Sequence, residues 1–263
     1  MENAFVDVLH RYVAEELAER LGFVQRRFDI GLVCGPPSPG QKRILQRVPT
    51  HWMYANPTSY GCEDVVCDLA LPFCRTLPLV VSLNALHLAN DPVAALGELR
   101  SALKPDGLFL GAAAARGTLA ELGECLIAAE SALTGGAAMR VAPFADVRQW
   151  GDALARAGFA LPVADEIRVT VRFPSLAALL DDLRGMGARG VLARTTPAPR
   201  RLFERTEALY RERHADPDGK LRATFVFACL SGWAPDPSQQ KPARRGSALM
   251  PLAEALRQFE PKR

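Results

Sequence analysis

The fold of this chain is decided by residues 78–111, PLVVSLNALHLANDPVAALGELRSALKPDGLFLG. Residues 79–83, LVVSL, place apolar side chains on both faces, which is typical of a parallel strand buried between helices. Asp91 and Pro92 then supply a helix N-cap and a first helical residue, and apolar residues follow at helical spacing. A Lys-Pro-Asp-Gly turn ends that helix and leads into a second apolar strand. Because such crossovers are right-handed, the two strands are predicted to be parallel neighbours or near neighbours.

The composition is typical of a globular protein with one substantial core. The chain has 263 residues, of which 49% are hydrophobic and 23% charged, and its net charge of +3 is too small to indicate nucleic-acid binding. No stretch approaches the roughly 20 apolar residues that span a bilayer, and the acidic N-terminus does not resemble a targeting signal. These features predict a cytoplasmic protein. The six cysteines include no C-x-x-C pair and no histidine at ligand spacing, so no metal site is predicted.

The remaining pattern predicts one α/β domain over residues 1–235 and a basic, proline-containing tail over residues 236–263. Residues 238–263 hold six Lys or Arg against two Glu. This tail is interpreted either as a solvated surface segment or as a docking patch for an acidic partner. Within the domain, Thr118 and Glu121 have the spacing of a capping box, which predicts a helix from there to about Leu133.

Two helices interrupt the last two strands of the predicted sheet. An alternating strand over residues 167–173 is typical of a sheet edge, and residues 223–233 return to strand. Residues 175–187 and 199–214 between them have helical spacing and arginine-rich outer faces. Residues 174–222 are therefore interpreted as a helical insertion between these two strands.

Several motifs resemble those of class I S-adenosylmethionine-dependent methyltransferases. LHLANDP at a strand end and LKPDG before the next strand resemble the fourth and fifth strands of that fold. Further motifs resemble a methyltransferase-like assembly factor of respiratory complex I and its bacterial relatives, and more distantly the malonyl-carrier-protein O-methyltransferase of biotin synthesis. These motifs are TLAEL from Thr118, AGF from Ala157, DLRGMG from Asp182, Gly232-Trp233 and RGSA from Arg245. The resemblance covers roughly residues 62–250.

The resemblance implies a Rossmann-like fold: a mostly parallel seven-stranded sheet with one antiparallel edge, helices on both faces, and the insertion as a helical cover over the substrate. Ligands of open parallel sheets bind beyond the carboxyl ends of the strands. In this family that place carries a D-x-G-x-G-x-G loop after the first strand. Here the corresponding residues are Gly31 to Pro37, and only Gly35 keeps its glycine. The acidic position falls on Gly31, and two prolines remove N–H donors.

The resemblance assigns the other candidate residues of an S-adenosylmethionine site to strand ends. Asn56 stands where an acid normally accepts the ribose hydroxyls, and losing that charge costs about ten- to a hundredfold in affinity. Asp68 lies near the position of the acid that contacts the adenine, and its alternative is a surface carboxylate. Ser82 and Asn84 are candidates for the pocket lining. His87 is the candidate catalytic residue, as a general base or a substrate-positioning group, against the alternative of a packed loop histidine.

Two functional hypotheses follow, and the residues leave both open. The first is an S-adenosylmethionine-dependent methyltransferase with a degenerate cofactor loop and an unknown small-molecule or protein acceptor. An acidic acceptor would suit Arg168, Arg172 and Arg184 if they face the cover. The second is a non-methylating assembly factor that keeps the fold to bind a protein partner, where the resemblance implies protein arginine hydroxylation. Whether the chain is an enzyme is left undecided at this stage.

Overall fold

The computed structural model describes residues 6–35, 38–56, 65–66, 74–186, 192 and 197–240. Within these residues the chain forms seven α-helices: Val6–Phe23 (α1), Pro39–Leu45 (α2), Pro92–Ala102 (α3), Ala120–Thr134 (α4), Val147–Arg156 (α5), Leu176–Gly185 (α6) and Arg200–His214 (α7). The same residues form seven strands: Ile30–Cys34 (β1), His51–Asn56 (β2), Val65–Val66 (β3), Leu77–Leu83 (β4), Leu103–Ala114 (β5), Ala160–Phe173 (β6) and Leu221–Trp233 (β7).

In the described part of the chain, all seven strands belong to one sheet of order β3-β2-β1-β4-β5-β7-β6. The pairs from β3 to β5 are parallel, and β7 is antiparallel to both β5 and β6. This is the predicted fold class, including the antiparallel edge. The order reverses between β1 and β4, so the carboxyl ends of these two strands flank the crevice where such sheets bind ligands.

The unit that decides the fold forms with the predicted order of strand, helix and strand. The predicted turn at residues 104–107 is wrong, because β5 begins at Leu103 and includes these residues, and its pairing with β4 has an irregularity there. The Asp91 side chain accepts hydrogen bonds from the backbone N–H groups of Val93 and Ala94, each at 3.0 Å, and Pro92 occupies the first turn of α3. Leu96 and Leu99 of this helix are completely buried. They pack beneath β4, whose own residues are buried on both faces. The strand and the helix are therefore stabilised by the same apolar layer.

The helices form one layer on each face of the sheet. Buried residues of α1, α4, α6 and α7 share one core cluster, and buried residues of α3 and α5 share the other. The predicted edge strand is confirmed as β6, which pairs only with β7 among the described strands. The two helices between β6 and β7 lie on the same face as α4. Residues 241–263, most of the predicted basic tail, lie outside the described residues.

The predicted capping box of α4 is wrong. Leu119 is the N-cap and has a left-handed backbone with φ of 56°, and no side chain caps the helix. Thr118 instead donates its hydroxyl to the carbonyl of Val226 at 2.8 Å, and Glu121 binds the hydroxyl of Thr224. Both side chains therefore attach the start of α4 to β7.

Candidate functional site

A cavity of about 320 Å³ lies beyond the carboxyl ends of β4 and β5, under the cover helices. Its floor is the end of β4 with the turn that follows it, and its walls come from α4, α6, α7 and β7. Most of the described side chains that line it are apolar, among them Leu83, Leu122, Leu126, Leu183, Phe203, Phe225 and Phe227. The size is within the range of small-molecule sites.

Asn84 places a polar group at the floor of this cavity. It follows directly on β4, its backbone has φ of 52°, and its N–H donates to the carbonyl of Ala112 at 3.1 Å. Asparagine tolerates this left-handed conformation better than most residues. The side-chain oxygen Oδ1 is buried and has no hydrogen-bond partner among the described residues. An acceptor left without a partner is costly, so Asn84 Oδ1 is available to a water or a ligand in the cavity.

His87 lines the same cavity from the turn after β4. Its Nδ1 accepts a hydrogen bond from the backbone N–H of Ala114 at 3.3 Å, and its ring meets Phe144 edge-on at 5.8 Å. Burial lowers the pKa of His87 to about 4, so the imidazole is neutral at pH 7. With Nδ1 accepting, the hydrogen of the neutral ring is on Nε2, which makes that nitrogen a donor. This geometry favours positioning a ligand over removing a proton.

Gly35 is required by the packing of the sheet. Its φ is 117°, and a Cβ at this position would lie 2.5 Å from the carbonyl oxygen of Leu83. Its N–H donates to the carbonyl of Ala55 at 3.1 Å. Gly35 is not among the residues that line the cavity. The one glycine kept from the cofactor loop therefore has a structural role, and its N–H is already used.

The position of the missing acid in that loop is filled by a neighbouring ring. Gly31 pairs with Trp52 in the adjacent strand, and a Cβ on Gly31 would lie 2.6 Å from the indole. The indole is held in place by a hydrogen bond from its N–H to the carbonyl of Leu45, 2.8 Å long. Val33, at the first glycine position of the motif, is completely buried in the core. The described residues of β1 therefore do not fit the methionine part of S-adenosylmethionine.

Of the other candidate cofactor residues, Ser82 is the one whose side chain the structure describes. Ser82 is completely buried, its hydroxyl oxygen has no partner among the described residues, and it is not among the cavity-lining residues. Asn56 ends β2, where it is aligned with Val66 of β3. Asp68 lies outside the described residues. Of the six candidates, the structure places Asn84 and His87 together at the cavity.

Sequence reasoning missed Arg140, a cavity-lining residue in the loop between α4 and α5. It forms a short ion pair with Glu130 of α4, 2.5 Å between Nη2 and Oε1. The hydrogen bonds that Arg140 donates to the Glu130 carboxylate lower the pKa of that carboxyl. The sequence signal for this pair is Glu130, which lies near the C-terminus of α4. A carboxylate there is repelled by the negative end of the helix dipole, so a nearby cation is expected to compensate it.

The arginines expected to face the cover do not line the cavity. Arg172 pairs with Asp216 and Asp218 on the surface, and Arg184 pairs with Asp181 within α6. Arg168 is likewise exposed and pairs with Glu166 of its own strand. Arg168 and Arg184 thus pair with carboxylates of their own elements, and Arg172 pairs with carboxylates of the turn before β7. The expectation of an acidic acceptor, which rested on these arginines, is withdrawn.

Two further features are absent from the described part of the chain. No group of three His, Cys, Asp or Glu side chains lies close enough there to hold a metal ion. No helix in those residues has the length and apolarity to cross a membrane.

Comparison with known proteins finds relatives along nearly the whole chain. Arginine-hydroxylase NDUFAF5, mitochondrial, is 32% identical in Danio rerio over 97% of this chain and 84% of that protein. The Homo sapiens protein of the same name is 38% identical over 94% of this chain and 76% of that protein. Malonyl-[acyl-carrier protein] O-methyltransferase of Xylella fastidiosa is 34% identical over 87% of this chain and 82% of that protein. No family model matches the chain.

Solved structures share the fold at much lower identity. A Bacillus halodurans protein assigned as a methyltransferase superposes with a TM-score of 0.54 and 14% identity, over 84% of this chain and 99% of that one. The [4+2]-cyclase SpnF superposes with a TM-score of 0.50 and 15% identity, over 86% of this chain and 81% of that one. The shared fold alone does not decide the chemistry. The sheet order and the two groups of relatives together show that this chain belongs to the class I methyltransferase-fold family that includes arginine-hydroxylase NDUFAF5 and malonyl-[acyl-carrier protein] O-methyltransferase.

Proposed function

We propose that this protein is an assembly factor that binds a protein partner of respiratory complex I and does not transfer methyl groups. The observation that carries the proposal is the indole of Trp52 packed against Gly31. In a methyltransferase of this fold an acidic side chain stands at that position, and here a side chain of any kind would overlap the ring. The second support is Gly35, whose N–H is bonded within the sheet and does not reach into the crevice.

The charges around the cavity point the same way. S-adenosylmethionine carries a positive sulfonium and a positive amino group against one carboxylate, so it has a net positive charge and is stabilised by nearby carboxylates. Among the described lining residues there is no Asp or Glu, and the charged residue present is Arg140. The described walls therefore offer this cofactor no compensating negative charge.

The relatives suggest which partner group to examine first. The proteins that are 32% and 38% identical over nearly the whole chain are named as arginine-hydroxylases. We therefore take an arginine of a complex I subunit as the residue on which the protein acts, with hydroxylation as the modification and with the guanidinium bound outside the cavity, whose described lining has no carboxylate. Inserting one oxygen atom into a C–H bond of this arginine uses molecular oxygen and a two-electron reductant as co-substrates, and the second oxygen atom leaves as water.

Methyl transfer is the second candidate function, and one observation favours it. Asn84 and His87 present a free acceptor and a donor at the carboxyl end of β4, where a methyltransferase of this fold brings its methyl donor and acceptor together. In this alternative, S-adenosylmethionine is the cofactor and the acceptor is a small molecule or a protein.

A gene deletion in the source organism distinguishes the two functions. Cells are grown with isotopically labelled methyl-methionine, and the deletion strain is compared with the wild type and a complemented strain. The proposal predicts loss of assembled complex I on native gels, an unchanged pattern of labelled methyl groups, and an arginine peptide lighter by one oxygen atom. Disappearance of a labelled methyl group from any acceptor, restored on complementation, would refute it.

A further inference from the structure

The cavity under the cover helices is lined mainly by apolar side chains. Leu122 and Leu126 of α4 form one side, Leu183 of α6 the roof, and Phe225 and Phe227 of β7 the other side. All five side chains are almost completely removed from solvent. A surface of this kind binds hydrocarbon, because burying apolar area is favourable in proportion to the area covered.

Most polar groups along the cavity are already used by the protein. The Thr118 hydroxyl donates to the carbonyl of Val226 and accepts from its N–H, at 2.8 and 3.0 Å. The guanidinium of Arg140 is paired with Glu130, and the Gln41 side-chain oxygen accepts from the backbone N–H of Ser38 at 2.8 Å. These atoms therefore have partners without a ligand.

One polar corner remains, at the end of β4. Asn84 Oδ1 is a buried acceptor without a partner among the described residues, and the hydrogen on His87 Nε2 makes that nitrogen a donor. Both residues line the cavity. An acceptor and a donor in one cavity complement a group that itself donates and accepts, such as a hydroxyl or a primary amide.

This distribution of polarity selects among ligands. A peptide segment would bring an N–H and a C=O for every residue, and each buried one without a partner costs free energy. The described walls offer too few free partners for that. A charged head group would need an opposite charge, and the described lining has no carboxylate and an arginine that is already paired. A single uncharged polar head on a hydrocarbon chain meets both conditions.

We propose that this cavity binds a long-chain hydrocarbon with an uncharged hydrogen-bonding head, of the class of fatty alcohols and fatty amides. The head lies at Asn84 and the chain runs beneath α6. The proposal goes beyond the assembly function and does not depend on it. A protein that fails to bind a complex I partner, or that binds S-adenosylhomocysteine, leaves this prediction unchanged.

Equilibrium binding of straight-chain 1-alkanols to the full-length protein tests the proposal. Dissociation constants for octanol, decanol and dodecanol are measured by calorimetry below their solubility limits. Each buried methylene is expected to tighten binding about fourfold, so each step of two carbons gives roughly a fifteenfold change. Affinity that does not change with chain length would overturn the proposal, and so would dodecylammonium or dodecanoate binding more tightly than dodecanol at pH 7.

A matched pair of variants locates the chain. Leu180→Gln places a polar group in the cavity wall on α6, whereas Leu133→Gln places one at an exposed position of α4 that is not among the cavity-lining residues. Dodecanol is expected to bind Leu180→Gln at least tenfold more weakly and Leu133→Gln like the wild type. Asn84→Gly, which permits the same backbone angle, is expected to lose about fivefold. Equal affinity of a folded Leu180→Gln protein and the wild type would refute the location, and the wild-type alkanol series decides the proposal if a variant does not fold.

Discussion

Lowering the pH from 7 to 5 is expected to destabilise the protein through His87. Burial lowers the folded-state pKa of this imidazole to about 4, whereas the unfolded chain titrates near the ordinary value of about 6.5. As the pH falls below 6.5 the unfolded state therefore binds a proton that the folded state does not. The stability that His87 contributes is fully present above pH 6.5 and is lost as the pH falls toward 4.

The size of the effect follows from the two pKa values. Linkage between folding and protonation gives a loss of about 2 kcal/mol in the free energy of unfolding between pH 7 and pH 5. The loss arises because in this range the unfolded state binds most of one proton and the folded state binds little. His87→Asn removes the titration while its side-chain oxygen can still accept from the N–H of Ala114. His51→Asn is the matched control, because His51 is an exposed histidine.

Urea unfolding at pH 7, 6 and 5, followed by far-ultraviolet circular dichroism, measures the free energy of unfolding of each variant. The account predicts that the wild type and His51→Asn lose about 2 kcal/mol more than His87→Asn over this range. If all three proteins lose the same free energy, His87 is not a buried neutral imidazole, and the assignment of Nε2 as the donor at the cavity is wrong.

Two further substitutions test the structural roles of single residues through thermal unfolding. Gly35→Ala is expected to destabilise the protein by at least about 2 kcal/mol, because the added Cβ would overlap the carbonyl oxygen of Leu83 and the backbone has a left-handed φ. The control is Gly97→Ala, in open space on α3, which is expected to stabilise the protein by about 0.5–1 kcal/mol. A tolerated Gly35→Ala would contradict the packing described for β1. Glu130→Gln is expected to cost about 2 kcal/mol because it removes the carboxylate that pairs with the partly buried Arg140, and most of this is recovered when both residues are replaced by Met. Equal stability of the single variant and the wild type would show that the pair is solvated.

The sequence predicts the architecture well where local and tertiary preferences agree. In the β4-α3-β5 unit, a strand that is apolar on both faces is followed by Asp91 and Pro92 at the helix start, and the same residues cap and bury that helix in the structure. The alternation in β6 likewise predicts an edge strand, because only a strand with one solvated face alternates in this way.

Prediction fails where a side chain finds a distant partner. Thr118 and Glu121 have the spacing of a capping box, yet both bind β7 residues more than 100 positions away. Nothing local distinguishes the two outcomes. Trp52 is a similar case: its residue type fits a strand, but only the pairing of β1 with β2 shows that the indole lies over Gly31.

The candidate site was predictable by place more than by residue. The reversal of strand order locates the crevice, and the resemblance points to the end of β4, where Asn84 and His87 line the cavity. The same reasoning also predicts Ser82, which belongs to this strand end. In the structure, however, Ser82 is completely buried and does not line the cavity. In a continuous strand, Ser82 and Asn84 would lie on the same face, because side chains alternate. The strand ends between them, so only the actual backbone shows that their side chains go to different places.

Calorimetric titration of the full-length wild-type protein with S-adenosylhomocysteine tests the central claim most directly. The claim is that the packing of Trp52 and Gly35 leaves no place for the amino-acid part of this ligand, which a methyltransferase of the same fold holds in the crevice. A related O-methyltransferase titrated under the same conditions serves as the positive control. The account predicts no detectable binding at about millimolar ligand, and a dissociation constant below about 100 μM would contradict it.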